Sequence, residues 1–190
     1  MAAPQGGIAA IIKPWPRLGT EEIIDLGLLR VHRDRARSPR TGDEHDFLVI
    51  DMADWLQVVP VTGDGRLVMV RQYRHGNRRV GLEFPGGLYD AGDVDHATAA
   101  LRECLEETGY GGGTLRPLGS FSPQPALFSN TAHVFRVDGV TRLTEMNPDP
   151  GEDIVVELVP PKELSQRISS GEIHNAVTLA VLALAGLPRE

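Results

Sequence analysis

Three glutamates, Glu103, Glu106 and Glu107, fall within five positions of the stretch GGLYDAGDVDHATAALRECLEETGY, residues 86–110. On a helix Glu103 and Glu107 are i,i+4 neighbours with Glu106 beside them, so three carboxylates share one face. Like charges at that spacing repel by about 0.2–0.5 kcal/mol per pair. A multivalent cation among them converts the repulsion into attraction. Acidic runs on helices are most often solvated faces, so the neighbouring residues must decide whether this one is a site.

Those neighbours specify a helix with two unlike sides. Asp95 is an N-cap residue, and Ala97, Ala99, Ala100 and Leu101 are good helix formers. Ala97, Leu101, Cys104, Leu105 and Thr108 recur at the spacing of a buried stripe. Gly109 stands where a left-handed C-cap ends a helix. Upstream, Val80–Phe84 reads as a strand feeding Pro85-Gly86-Gly87, whose glycines permit positive φ and close approach of backbone carbonyls to a ligand.

Composition limits the partners. The 190 residues suffice for one well-buried core, and 41% hydrophobic with 24% charged residues is ordinary for a globular protein. A net charge of −7 without a basic block argues against a nucleic-acid polymer. With no secretory segment and no long apolar run, the chain reads as cytoplasmic and without a membrane partner. The single cysteine, Cys104, reads as a core residue of the helix.

The other elements follow in order. Residues 1–16 read as irregular, residues 21–31 as a strand or a short amphipathic helix, and the basic segment His32–Glu44 as a loop or hairpin turn. Strands are expected at Phe47–Asp51, Leu56–Val61 and Leu67–Gln72, the last two joined at Gly63-Asp64-Gly65. RQYRHGNRR carries four arginines in nine residues. Of these, Arg74, with Gln72, lies at a strand end where a guanidinium can grip a phosphate bidentately, whereas Arg78 and Arg79 read as solvated. After the helix come strands at Leu115–Phe121, His133–Val137 and Ile154–Val159, a loop at residues 138–153, and helices at Pro161–Ser169 and Asn175–Ala185. This order predicts an α+β fold, a mixed sheet between helices. His75, His96, His133 and His174 show no zinc-type spacing and read as scattered. Asp90, Asp93 and Asp95 lack the glycine and glutamate positions of a calcium loop. Trp15 and Trp55 read as core or interface anchors.

RECLEETGY at residues 102–110 resembles the second half of the Nudix box, GX5EX7REUXEEXGU, with Cys104 and Tyr110 at aliphatic positions. The first half departs from it. Asp93 stands at the glutamate position, and eight residues rather than seven separate it from Arg102, an insertion around Val94 that a loop absorbs. RQYRHG, EFPGG, GEDIVVE and GEIHNAVTLAVLAL are similar to the ADP-ribose pyrophosphatase branch, over roughly Phe47 to Ala185. Pro125, 15 residues beyond the box, matches a proline of that branch, though Ala126 replaces the glycine that commonly follows.

The resemblance implies an α/β/α sandwich with a central mixed sheet over residues 46–190. It also implies an N-terminal β segment, residues 1–45, exchanged between the subunits of a homodimer. It implies a magnesium-dependent hydrolase, with manganese as a substitute, that splits a nucleoside diphosphate sugar; ADP-ribose to AMP and ribose 5-phosphate leads. The alternatives are another nucleoside diphosphate sugar, a dinucleotide, or a non-catalytic sensor that the intact acids argue against. Expected metal ligands are Glu103, Glu106, Glu107 and the carbonyl of Gly86 or Gly87. Arg102 is expected to pair with Glu106 or Glu83 and to orient a ligand. Glu152 is the expected general base, with Asp153 and Glu106 competing. Gln72, Arg74, Glu83 and Pro125 are the expected substrate contacts.

Overall fold

The computed structural model describes residues 12–90 and 92–188. Its chain divides into two compact units, Met1–Met52 with Gln124–Ser129, and Ala53–Pro123 with Asn130–Glu190. The expectation for residues 1–16 falls outside the described residues up to residue 11; residues 12–16 form neither helix nor strand.

The first unit is an antiparallel sheet of β1 (Arg17–Asp25), β2 (Leu29–Arg37) and β3 (Glu44–Met52) in that order. The ambiguous stretch 21–31 resolves as strand, turn, strand, because Gly27 takes φ 77° and its N–H caps the Asp25 carboxylate at 2.8 Å. The basic segment after it is a correction. His32–Arg37 is strand, not loop, and only residues 38–43 turn. Charge alternation explains the difference: Arg33 meets Glu21 at 3.1 Å, Arg35 meets Asp46 at 3.0 Å and Arg37 meets Glu44 at 2.8 Å across the neighbouring strands. Trp15 packs edge-on against His45 and Phe47. β1 is exposed along its whole length, Leu18, Ile23 and Ile24 included.

The second unit holds β4 (Trp55–Thr62), β5 (Leu67–Arg74), β6 (Arg79–Glu83), β7 (Tyr110–Gly111), β8 (Thr114–Phe121), β9 (Ala132–Arg142) and β10 (Ile154–Val159). Their order is β10-β5-β4-β9-β7, with β6 on β5 and β8 on β9. Only β4 and β9 run parallel, so the sheet is mixed. α1 (His96–Thr108) covers one face; α2 (Leu164–Ser169) and α3 (Ala176–Leu184) cover the other. Alternation along β4 divides the core accordingly. Leu56 and Val58 pack with Ala99, Ala100 and Cys104, while Val59 and Val61 pack with Leu164, Val181 and Leu182. The α+β sandwich is thus as expected, apart from β9, which runs on to Arg142 and shortens the following loop to residues 143–153.

α1 starts where Asp95 Oδ1 accepts the Thr98 N–H at 2.7 Å and ends at Gly109, φ 73°, whose N–H reaches the Leu105 carbonyl. Its buried side differs from the expected stripe. Ala99, Ala100, Cys104, Glu107 and Thr108 are buried, and Leu101 is exposed. Small alanines let the helix approach the sheet closely, which rotates Glu107 inward.

Residues 85–87 zip along the start of β4. Leu56 N–H donates to the Gly87 carbonyl at 2.8 Å, Gly87 N–H to the Leu56 carbonyl at 3.1 Å, and Val58 N–H to the Pro85 carbonyl at 3.0 Å. Neither glycine has positive φ. Space is what both require: a Cβ on Gly86 would stand 2.1 Å from the Leu56 carbonyl oxygen, and one on Gly87 would stand 2.4 Å from the Glu103 carboxyl carbon. Gly86→Ala therefore forces backbone apart and is expected to cost about 1–3 kcal/mol. Gly87→Ala displaces only the end of a flexible side chain and should cost less. Urea unfolding of the two variants checks the order, and equal stabilities would refute it.

An ion-pair network ties β5, β10, α2 and the turn before α3. Arg71 bridges Glu157 at 2.6 Å and Glu172 at 2.5 Å, and Arg167 reaches Glu172 and Glu157 at 2.8 Å each. Hydrogen bonds from Arg71 and Arg167 hold the Glu172 carboxyl down at about 2, against an ordinary 4.5. A depressed carboxyl pKa contributes stability above the unfolded value and loses it as pH falls towards the folded one. The thermal unfolding midpoint should therefore fall as pH drops from 4.5 to about 2. Glu172→Gln should be less stable at pH 7 and lose less over that acid window.

Candidate active site

The site begins with the inward turn of α1. Gly86 N–H donates to Glu107 Oε2 at 3.0 Å, and Glu107 is only 3% exposed. Burial pushes its carboxyl up to about 8, an effect reinforced by the charges of Glu152 and Glu103 and opposed by the Gly86 N–H. Glu103, one turn earlier, is also raised, mainly by burial, with Arg102 opposing. Two desolvated carboxylates thus stand beside each other with a third acid, Glu152, near enough to act on both.

Arg102 is the hub of this acidic face. Its guanidinium donates to Asp93 through Nε at 3.2 Å and Nη2 at 3.1 Å, and to Glu106 through Nη1 at 2.9 Å. It lies 3.0 Å from Glu103 as well. Asp93 is held below the usual carboxylate range by those bonds, and the arginine is pushed further up in return. The expected pairing with Glu106 is present; the alternative pairing with Glu83 is not. Glu83, buried on β6, instead accepts from Arg74 Nη2 at 2.9 Å.

Glu152 borders two hollows, which also share Gly87 and Leu88. One, about 370 Å³, is bordered by Arg102, Glu103, Glu106, Glu107 and Glu152. The other, about 420 Å³, is bordered by Trp55, Gln57, Arg74, Glu83, Glu152 and Asn175. Gln72, buried on β5, donates its Nε2 to Glu152 Oε1 at 3.2 Å, while its own Oε1 is buried without a protein partner. Glu152, Glu106, Arg102, Gly86, Glu103, Glu107, Gln72, Arg74 and Glu83 therefore gather within the second unit. Pro125 lies in Gln124–Ser129, part of the first unit.

Sequence reasoning missed several residues here. Asp93, given no role because of its displaced position, anchors Arg102. Gln57 and Asn175 border the larger hollow without any motif around them. The histidines need a correction. His96 and His133 are not scattered: their rings stack at 4.0 Å, and each lies beside Asp54. Among the described residues, Asp54, His96 and His133 are the one group of three whose ligand atoms fall within 4.8 Å of one another. His75 and His174 lie apart from them: His75 packs edge-on against Tyr73, and His174 meets Asn77.

The acidic face fits a hard divalent cation by its chemistry. Every donor it offers is an oxygen, and two of its carboxylates are raised by desolvation and by the charges of neighbouring acids, Glu152 acting on both, a strain that a cation relieves. The Gly87 carbonyl already accepts from Leu56 N–H, which favours the Gly86 carbonyl as the backbone donor.

The model of the NUDIX domain matches residues 56–180. The chain is 29% identical to an ADP-ribose pyrophosphatase of Mycobacterium tuberculosis over 170 residues, 88% of this chain and 81% of that enzyme. It is 32% identical to an ADP-ribose pyrophosphatase of Bacillus subtilis over 122 residues, 64% of this chain and 65% of that enzyme. A crystal structure of an ADP compounds hydrolase superposes with a TM-score of 0.81 at 21% identity, covering 92% of this chain and 94% of that one, a likeness of fold. No described helix is long and apolar enough to cross a membrane. With the box acids on a capped helix and the family match spanning most of the chain, the protein belongs to the Nudix family of pyrophosphate-bond hydrolases and is similar to its ADP-ribose pyrophosphatases.

Proposed function

We propose that the protein is a magnesium-dependent hydrolase of nucleoside diphosphate sugars, with ADP-ribose, split into AMP and ribose 5-phosphate, as the leading substrate. The observation that carries this reading is the pair of desolvated carboxylates, Glu103 and Glu107, facing Glu152 beside a hollow large enough for a nucleotide. The names of the mycobacterial and Bacillus relatives support the choice of sugar nucleotide.

Glu103, Glu106, Glu107 and the Gly86 carbonyl would hold the cation, magnesium or manganese. Bound there, it screens diphosphate charge and acidifies water. Glu152 accepts the proton of the attacking water, and Gln72 Nε2 fixes its carboxylate. Arg102 is a positioning residue, because its donors are committed to Asp93, Glu106 and Glu103. Arg74, aligned by buried Glu83, faces the larger hollow and suits a phosphate. The exposure of Leu18, Ile23 and Ile24 on β1 supports a homodimer in which residues 1–45 cross to the second copy. Light scattering at micromolar concentration is expected to give twice the 20.6 kDa chain mass.

Incubation with a panel of nucleoside diphosphate sugars and magnesium, with products identified by mass, tests the reading. AMP and ribose 5-phosphate from ADP-ribose are expected. Tight binding of a panel member without turnover would overturn the hydrolase reading. Glu103→Gln and Glu107→Gln should each lower kcat/KM by about 100-fold or more while the protein stays folded. Glu152→Gln should lower kcat by about 10²–10⁴-fold with little change in KM.

A further inference from the structure

We propose that Asp54, His96 and His133 form a second metal site, one for a borderline transition ion of the zinc class and separate in chemistry from the acidic face. The three residues come from three elements of the second unit. Asp54 lies in the turn before β4, His96 is the first residue of α1, and His133 is the second residue of β9. Both imidazoles present Nε2 to the same carboxylate oxygen, Asp54 Oδ2, at 3.1 Å from His133 and 3.7 Å from His96. A tetrahedral zinc ion with ligands about 2.0–2.1 Å away spaces its donors about 3.3 Å apart, so these separations bracket the edge of such a polyhedron.

The surroundings prepare the carboxylate for sharing. Asp54 Oδ1 is occupied by the Thr131 N–H at 2.8 Å, which orients the group and leaves Oδ2 for the histidines. The Asp54 carbonyl accepts the Tyr89 N–H at 2.9 Å, and the Tyr89 ring packs on His96 with centroids 4.3 Å apart. All three side chains are about one-quarter to one-third exposed, so an ion can enter and keep water at its remaining position. A second imidazole, stacked at 4.0 Å on the first, brings another ring nitrogen towards the same carboxylate.

Two imidazoles and one carboxylate select against magnesium, which takes oxygen ligands, and for zinc, cobalt, nickel or copper. Bound there, the ion links the first residue of α1 to β9 and to the turn that holds Tyr89. It would therefore brace the end of the helix opposite Glu107 without entering the acidic hollow.

The test uses the full chain with magnesium in saturating excess, so that the acidic face is occupied. Cobalt(II) is titrated and followed by its visible ligand-field absorption, and zinc by calorimetry. One equivalent should bind the wild type and Glu107→Gln alike. His96→Ala and His133→Ala should each weaken binding by about 10–100-fold or more. In case a variant fails to fold, the imidazole proton resonances of the wild type give an independent reading. Those of His96 and His133 should shift with one equivalent of zinc, and those of His75 and His174 should not. Unchanged binding in both folded histidine variants, unmoved His96 and His133 resonances, or loss of that one equivalent in Glu107→Gln would each overturn the proposal.

Discussion

Everything in the acidic site depends on one buried carboxylate. Glu107 is removed from water by the sheet and accepts the Gly86 N–H at 3.0 Å. A single amide dipole does not compensate for a desolvated charge next to Glu103 and Glu152. The group therefore has two ways to be stable: it keeps a proton, which its elevated pKa near 8 permits at neutral pH, or it meets a cation and releases that proton. A cation and a proton thus compete for the same oxygen atoms. Cation affinity at such a place must rise with pH through the neutral range, a consequence of burial rather than of the number of acids.

That burial is a matter of backbone approach. α1 can settle on the sheet because Ala99, Ala100 and Cys104 present little bulk, and this rotation turns Glu107 inward while leaving Glu106 accessible. The strand side meets it halfway. Residues without Cβ at 86 and 87 let the chain lie against β4 on one side and the Glu103 carboxylate on the other. The buried thiol of Cys104, pushed up to about 12 by desolvation, belongs to this packing and has no part in the chemistry.

Which parts were legible in the sequence follows from how far apart the determinants lie along the chain. The caps Asp95 and Gly109, the box acids and the turn at Gly63-Asp64-Gly65 are local, and the structure places them where local rules put them. β2 was hidden because its arginines look like a solvated run until Glu21, Asp46 and Glu44 are placed opposite them by pairing. The Arg74–Glu83 pair was hidden for the same reason, since β5 and β6 must be in register before the partners are known. Asp54, His96 and His133 are 42 and 37 residues apart, and only the parallel pairing of β4 with β9 under the start of α1 unites them. No periodicity within a segment carries that information.

The displaced Asp93 shows how a loop can change while a site is kept. In the box pattern a glutamate separated from the arginine by seven residues holds that place, whereas here the residue is shorter by one methylene and the spacer longer by one position. The two changes compensate. The loop turns back on itself, with the Asp93 N–H donating to the Asp90 carbonyl and Asp93 Oδ2 accepting the Asp90 N–H. The shorter side chain then meets both Nε and Nη2 of Arg102. Arg102, so anchored, has Nη1 left for Glu106 and Glu103. The repulsion along the helix is accordingly handled by two agents of different reach. A resident guanidinium neutralises the outer acids, Glu103 and Glu106, whereas Glu107 lies beyond its bonds and is left for an external charge. The carboxylate that the protein does not neutralise itself is the one it has buried most deeply, and this division distinguishes a ligand site from a solvated acidic ridge.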